Sequence, residues 1–223
     1  MTAPGETPIL LATTNPHKLD EIKRVIDTPA IAWRLLRDLD AVPDEPIEDQ
    51  PTFEGNAELK ARYYAGHAGF ACLADDSGIE VDALGGAPSV ISARYSGVDG
   101  PRSVVDPANN AKLLEELSGV PIAERGARFV CVLCLVDPDR PGRVVSVRGE
   151  VPGRILLPEE ADDPGHPERG RGDNGFGYDP LFVLPGGHAF AGLTTAQLTD
   201  AQKNAISHRG VASRRLLEAV EFA

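Results

Sequence analysis

The stretch "LADDSGIEVDAL" (73–84) sets two carboxylates, Asp75 and Asp76, side by side, followed by Ser77. Adjacent like charges repel, so such a pair points to a cation or a shared proton. The acidic loop "DEPIEDQPT" (44–52) adds Glu48 to the same chemistry. "TTNPHK" (13–18) joins an apolar stretch to a helix start. Such a junction presents free backbone N–H groups and the positive end of a helix dipole to an anion. Thr13 and Thr14 bring hydroxyls, Asn15 an amide, and Lys18 a charge one turn in. "NGFGYDPLF" (174–182) places Phe176 and Tyr178 among glycines, ahead of Asp179. Glycine lets backbone approach a ligand, and an aromatic face suits a stacked base. "KNAISHRG" (203–210) gathers Lys203, Ser207, His208 and Arg209 at a helix end.

Each motif also has a plain structural reading. These are a capped helix with a solvated lysine, a core-facing aromatic turn, and cations that favour a helix C-terminus. "DSG" (76–78) is also the tripeptide of aspartic proteases, which share one proton between two carboxylates. With a single copy, that dyad would have to form across a dimer, and the helical pattern nearby does not suit an all-β protease. "CVLC" (131–134) invites a redox or zinc reading. In a strand, however, positions three apart face opposite ways, and no second cysteine pair completes a zinc site. Cys72 falls in another apolar strand and reads as core. Taken together, the motifs supply a phosphate-binding turn, carboxylates, a base platform and a basic clamp. That set suits a nucleoside triphosphate with Mg²⁺, which binds through one or two carboxylates plus substrate phosphates. No Walker A pattern is present.

The elements that must position these groups alternate. "ILLAT" (9–13) reads as a strand. Residues 15–27 read as a helix with Asn15 at the N-cap, Pro16 in the first turn, and Leu19, Ile22 and Ile26 on one face. Residues 53–68 form a second helix, and "FACLAD" (70–75) a strand ending at the aspartates. Residues 106–119 form a helix closed by Gly119. Residues 127–137 and 143–151 form a hairpin around "PDRPG" (138–142). The loop 158–173, rich in Pro, Gly and charge, reads as exposed and mobile. Helices at 199–207, with a Thr-x-x-Gln capping box, and at 210–221 close the chain. The expectation is one α/β domain, 1–223, of two lobes around a mixed twisted sheet with the site in the cleft between them.

The 223 residues carry 22 basic and 34 acidic side chains, a formal charge of −12. An acidic chain is poorly suited to wrapping a nucleic-acid polymer. No apolar run approaches the roughly 20 residues needed to cross a bilayer. The N-terminal stretch lacks the basic region of a secretory signal, and three cysteines cannot all pair internally. A cytoplasmic chain with reduced thiols is expected.

The chain resembles the Ham1-like family, also called the inosine triphosphate pyrophosphatase family. The resemblance runs from "LLATTNPHK" through "TFEGNAELKARYYA", "LADDSGIEVDALGGAPSVISARYSG" and "NGFGYDPLF" to "KNAISHRG". It implies a Mg²⁺-dependent homodimer that releases a monophosphate and pyrophosphate from ITP, dITP or XTP. Carried over, the phosphate loop falls on Thr13, Thr14, Asn15, Pro16, His17 and Lys18. The metal carboxylates fall on Glu48 and Asp76, with Asp75 shaping the site, the proton acceptor on Asp76, and a phosphate-side serine on Ser77. Nucleotide contacts fall on Phe176, Gly177, Tyr178, Asp179, Lys203, His208 and Arg209. The last two are expected to meet the purine 6-oxo edge. Gly55 and Gln197 stand where relatives often carry Glu. Two rivals remain open: a pyrophosphatase for another modified base, and a non-catalytic nucleotide-binding regulator.

Overall fold

A computed structural model describes residues 6–140 and 142–220; Pro141 of the hairpin turn and Glu221 of the last helix lie outside the described residues. Six strands form one mixed sheet in the order β2-β1-β3-β4-β5-β6. They are β1 (Thr7–Ala12), β2 (Ile31–Leu35), β3 (Cys72–Val81), β4 (Gly126–Val136), β5 (Val144–Ile155) and β6 (Phe182–Val183). β1 runs parallel to both β2 and β3, and β6 antiparallel to β5. The α/β class with a mixed sheet is therefore as the sequence indicated. No helix among the described residues is long and apolar enough to cross a membrane.

The chain divides into two compact units. The first comprises Met1–Ser77, Cys131–Glu150 and His208–Ala223. It contains α1 (Pro16–Val25), α2 (Phe53–Ala68) and the last helix, α5 (His208–Ala219). Asn15 sits at the N-cap of α1, because its carbonyl accepts the Leu19 N–H at 3.1 Å. α2 begins where Thr52 accepts the Gly55 N–H at 3.1 Å. Ile9 and Leu11 of β1 pack with Ile22 of α1, with Ile26 just past its end, and with Ala212 and Leu216 of α5. Leu10 and Ala12, equally buried, point the other way, toward α2. The sheet of this unit thus carries helices on both faces. Cys131 belongs to the α1–α5 side. Burial pushes its thiol and that of Cys134 up to about 12, so neither is reactive.

The second unit comprises Gly78–Val130 and Val151–Ser207. Its core joins Ile79, Val81, Leu113, Leu117, Phe129, Ile155, Leu181 and Phe182. The long helix α3 (Arg102–Glu116) and the short α4 (Asp200–Ile206) belong here. At the end of α3, the buried Arg125 guanidinium donates to the carbonyls of Leu117, Val120 and Leu156 at 2.7–3.0 Å. A cation there answers the helix carbonyl end.

Several features differ from the sequence expectation, among them strands β2 and β6, which it did not contain, and β5, which runs on to Ile155. β3 does not stop at the aspartates but continues to Val81, because Ile79 and Val81 resume the buried alternation. α3 starts four residues earlier than Asp106, with Pro107 inside it. The segment 158–173 has a continuous exposed run at 162–166, with Glu159, Arg169 and Asp173 exposed as well. Elsewhere it is tied down: Arg154 grips Glu160 with two bonds of 2.6 and 2.7 Å, and Arg171 N–H donates to the Pro180 carbonyl at 3.0 Å. Gln197 accepts the Thr194 N–H at 3.0 Å and so acts as a turn cap.

Candidate active site

In the first unit the turn 13–18, expected to bind phosphate, follows the carboxyl end of β1. The last β1-paired residue of β3 is Ala74, next to Asp75. Ligand sites in α/β sheets form at such strand ends. Thr13 Oγ1 accepts the Asn15 N–H at 3.2 Å, which shapes the turn ahead of α1. The side chain of His17 lies outside the described residues.

Strand alternation separates the two aspartates. Asp75 shares a face with Leu73, toward α1 and α5; Asp76 shares a face with Ala74, toward α2. Asp75 Oδ2 lies 2.7 Å from Lys18 Nζ, 3.3 Å from Ser77 Oγ and 3.9 Å from Arg209 Nε. Burial alone would raise its pKa, but Lys18 and Arg209 hold it well below the ordinary carboxylate value. Arg209, 1% exposed, also donates to Glu21 at 2.8 Å and to Ser77 Oγ at 3.2 Å. Burial would lower its pKa; Glu21, Cys131 and Asp75 raise it. Asp75, expected to shape the metal site, has Lys18 and Arg209 as its nearest cations, and its charge also acts on Lys60. Arg209, expected at a purine edge, is buried and spends one N–H of each terminal nitrogen on Glu21 and Ser77.

Asp76 meets different partners. Lys60 Nζ of α2 lies 3.0 Å from Glu48 Oε1 and 3.8 Å from Asp76 Oδ1. The Ser77 N–H donates to Asp76 Oδ1 at 3.0 Å. Burial first, and Glu48 after it, push the Asp76 carboxyl up to about 6, against the pull of Lys60. Lys60 would be lowered by burial, but Asp75, Asp76 and Glu48 raise it and keep the ammonium charged. Asn56, fully buried on α2, accepts the Gln50 N–H at 3.0 Å and so ties down the loop that carries Glu48.

Among the described residues no three His, Cys, Asp or Glu side chains gather into a metal cage. Magnesium needs fewer protein ligands, since phosphate oxygens and water complete its shell. Glu48 and Asp76 fit that demand, because Asp76 Oδ2 is buried without a close hydrogen bond, with the Asn56 amide as a more distant polar neighbour.

The second unit holds the aromatic segment. Asp179, 4% exposed, accepts from the Phe176 N–H at 2.8 Å, Thr195 Oγ1 at 2.8 Å and Lys203 Nζ at 2.5 Å. The backbone of Gly175 passes so close to Asp179 and Lys203 that a Cβ there would collide with both. Tyr178 Oη donates to the Ser92 carbonyl at 2.8 Å, and burial raises its pKa. Tyr178 and Asp179 thus build the segment from inside, while two cations lie over the Phe176 ring, Arg102 at 4.8 Å and Lys203 at 5.1 Å from its centroid.

The structure therefore brings Lys18, Asp75, Ser77 and Arg209 together, and separately Glu48 with Asp76. It also brings Phe176, Gly177, Tyr178 and Asp179 together with Lys203. His208 opens α5 and is partly buried. Sequence reasoning missed Asn56, Lys60, Glu21, Arg102, Asp106, Asn110 and Thr195. For two of these a signal existed. Asn56 and Lys60 lie on the stripe 53, 56, 57, 60, 61, 64, 65, which α2 buries.

Buried carboxylates ordered by lysines beside a helix N-terminus define an α/β protein equipped for phosphate chemistry. The chain belongs to the Ham1 family, whose model matches residues 9–219. It is 47% identical over 214 residues to a protein of Nocardia farcinica named dITP/XTP pyrophosphatase, covering 95% of this chain and 94% of that one. A protein of the same name from Exiguobacterium sibiricum is 44% identical over 93% of this chain and 94% of its own length. Among solved structures, a HAM1 protein from Coxiella burnetii matches with a TM-score of 0.79 and 35% identity, over 96% and 98% of the two chains. A dITP/XTP pyrophosphatase from Mycobacterium abscessus matches with a TM-score of 0.71 and 43% identity, over 94% and 98%.

Proposed function

We propose that this protein is a nucleoside triphosphate pyrophosphatase. It hydrolyses non-canonical purine nucleoside triphosphates (dITP, XTP and ITP) to the monophosphate and pyrophosphate, and so cleanses the nucleotide pool. The observation that carries the reading is Asp76, a buried carboxyl raised to about 6 beside Lys60 and Glu48, in a chain so similar to dITP/XTP pyrophosphatases. A general base works best with a pKa near the working pH.

Asp76 orients a water and accepts its proton as the water oxygen bonds to phosphorus and the anhydride bond to the pyrophosphate leaving group breaks. Mg²⁺, held by Glu48 and Asp76, supplies charge neutralisation at the phosphates when bound. Lys60 keeps the two carboxylates close despite their repulsion. The N–H groups at the start of α1 and Lys18 receive phosphate charge, and Asp75 fixes the direction of Lys18. Little covalent chemistry falls to the protein, so positioning supplies most of the effect. Phe176 offers the base a face. Hypoxanthine and xanthine carry a 6-oxo acceptor where adenine carries a donor, and a donor from the His208–Arg209 turn separates them. Polar mismatches of this kind discriminate strongly.

The protein works in the cytoplasm as a homodimer, with a solution mass about twice 23.7 kDa. The test of the activity is pyrophosphate release from a panel of ITP, dITP, XTP, ATP and GTP, with Mg²⁺ and with excess EDTA. Rapid turnover of the first three with Mg²⁺ alone is the expected result. Equal rates on ATP and ITP would overturn the substrate class, and full turnover in EDTA would overturn the metal.

A further inference from the structure

Helix α3 carries Arg102, Asp106 and Asn110 at intervals of four residues, which places them along one face. All three reach the aromatic segment within the same unit. The Arg102 guanidinium carbon lies 4.8 Å from the centroid of the Phe176 ring. Asp106 Oδ2 accepts the Gly177 N–H at 2.9 Å. Asn110 Nδ2 donates to the Gly177 carbonyl at 3.2 Å and to the Glu168 carbonyl at 3.1 Å. Both backbone groups of one residue are thus satisfied by side chains from consecutive turns of a helix, where neighbouring backbone usually does this work. Gly177 has φ +61°, a left-handed conformation that side-chain-bearing residues avoid. Arg102 and Asp106 also face each other at 3.8 Å, so the cation over the ring and the acceptor under the backbone support one another. Asn110 is 3% exposed and spends its donors on this segment and on the neighbouring loop.

We infer that this face of α3 positions the base platform: Asp106 and Asn110 fix Gly177, Arg102 fixes the Phe176 ring, and the platform is set before nucleotide arrives. The inference rests on the reading above in which Phe176 meets the base. None of the three residues takes part in the chemical step. A segment held in its bound shape loses less entropy on binding, so the helix acts on affinity for the base and not on the phosphates.

Two readouts test this on the full-length protein. The first is amide hydrogen exchange at Gly177 in the free protein, which needs no nucleotide. Asp106→Ala removes the acceptor and should speed that exchange at least about tenfold, whereas Asp106→Asn, which keeps an acceptor oxygen, should restore most of the protection. The second is kinetic. Asp106→Ala and Asn110→Ala should each raise KM for dITP and XTP about tenfold with kcat within about twofold of the parent. Inhibition by inorganic tripolyphosphate, which has no base, should be unchanged. Equal loss of tripolyphosphate affinity would mark general damage and overturn the inference. Unchanged Gly177 exchange in Asp106→Ala would overturn it too. Faster exchange with an unchanged KM would instead overturn the reading that this segment meets the base. Should an alanine variant misfold, Asp106→Asn and Asn110→Leu carry the same comparison, with Asn110→Leu expected to raise KM and Asp106→Asn to leave it near the parent.

Discussion

Replacing Asp76 with Asn should make the protein inactive and more stable at once. The Asp76 side chain is only 8% exposed, and burial lifts its carboxyl from the ordinary 3.8 to about 6. A folded-state pKa above the unfolded one means that the folded protein resists losing the proton. Below about pH 4 both states are protonated and nothing is lost. Between about pH 4 and 6 the unfolded chain ionises freely and the folded one does not, so stability falls as pH rises. Above about pH 6 the full penalty stands. At about 1.4 kcal/mol per pH unit of separation, it amounts to roughly 3 kcal/mol. Asn keeps the acceptor for the Ser77 N–H and leaves Lys60 its bond to Glu48. Against this, the Asn amide puts an N–H group where Asp76 Oδ2 is buried without a close hydrogen bond. An unsatisfied buried donor costs about 1–3 kcal/mol. The balance is a gain of about 0–2 kcal/mol at pH 7.5, up to roughly 8 °C in melting temperature for a chain of this size. The assay is urea and thermal unfolding of parent and variant from pH 4 to pH 8 with divalent cations chelated, beside pyrophosphate release at pH 7.5. Activity should drop about 10²–10⁴-fold from loss of the base. A variant less stable than the parent at pH 7.5 would refute the burial argument. So would a stability gap that stays constant down to pH 4. Near-normal kcat would remove Asp76 from the centre and leave Glu48 as the next candidate for the base.

Asp75→Asn should behave in the opposite way. Its folded pKa is depressed by Lys18 and Arg209, so its contribution is present above about pH 4 and lost in stronger acid. The variant should lose roughly 3–5 kcal/mol at neutral pH, as for other broken buried pairs, with the gap closing below about pH 4 when the unfolding series is extended into stronger acid. Lys60→Met removes the cation that lowers the Asp76 pKa, so the acid limb of the kcat/KM profile should move to higher pH; a limb that stays in place would show that Lys60 does not tune Asp76. Arg125→Met leaves the carbonyls of Leu117, Val120 and Leu156 without their donor and should cost about 3 kcal/mol in denaturant unfolding, with kcat unaffected.

The helices that position the phosphate turn were legible because their signals are local. Thr199 caps with its side chain as its residue type directs, Asn15 stands at the N-cap position, and Ile22 and Ile26 are buried as the periodicity marked. β3 was cut short because two charges look like an end to a strand. In fact each charge is buried against a cation supplied by a distant element, and no local signal reports a partner such as Arg209. The tie between Gly177 and Asp106 was invisible for the same reason. Lys60 and Asn56 were legible in principle, since a polar residue on a buried stripe must have a partner to remain there. Applied to α2, that rule would have marked Lys60 as the cation shared by two carboxylates. It also explains why Asp75 and Asp76 tolerate adjacency. A strand turns neighbours in sequence to opposite faces, so each aspartate has its own nearest lysine, Lys18 from α1 for Asp75 and Lys60 from α2 for Asp76, while each lysine also acts on the other carboxylate. The two faces then differ in what remains available. Asp75 has cations on every side and is ionised throughout, which suits a residue that aims Lys18. Asp76 has one distant ammonium and a second carboxylate nearby, and that imbalance, set by which helix covers which face, leaves it able to take a proton.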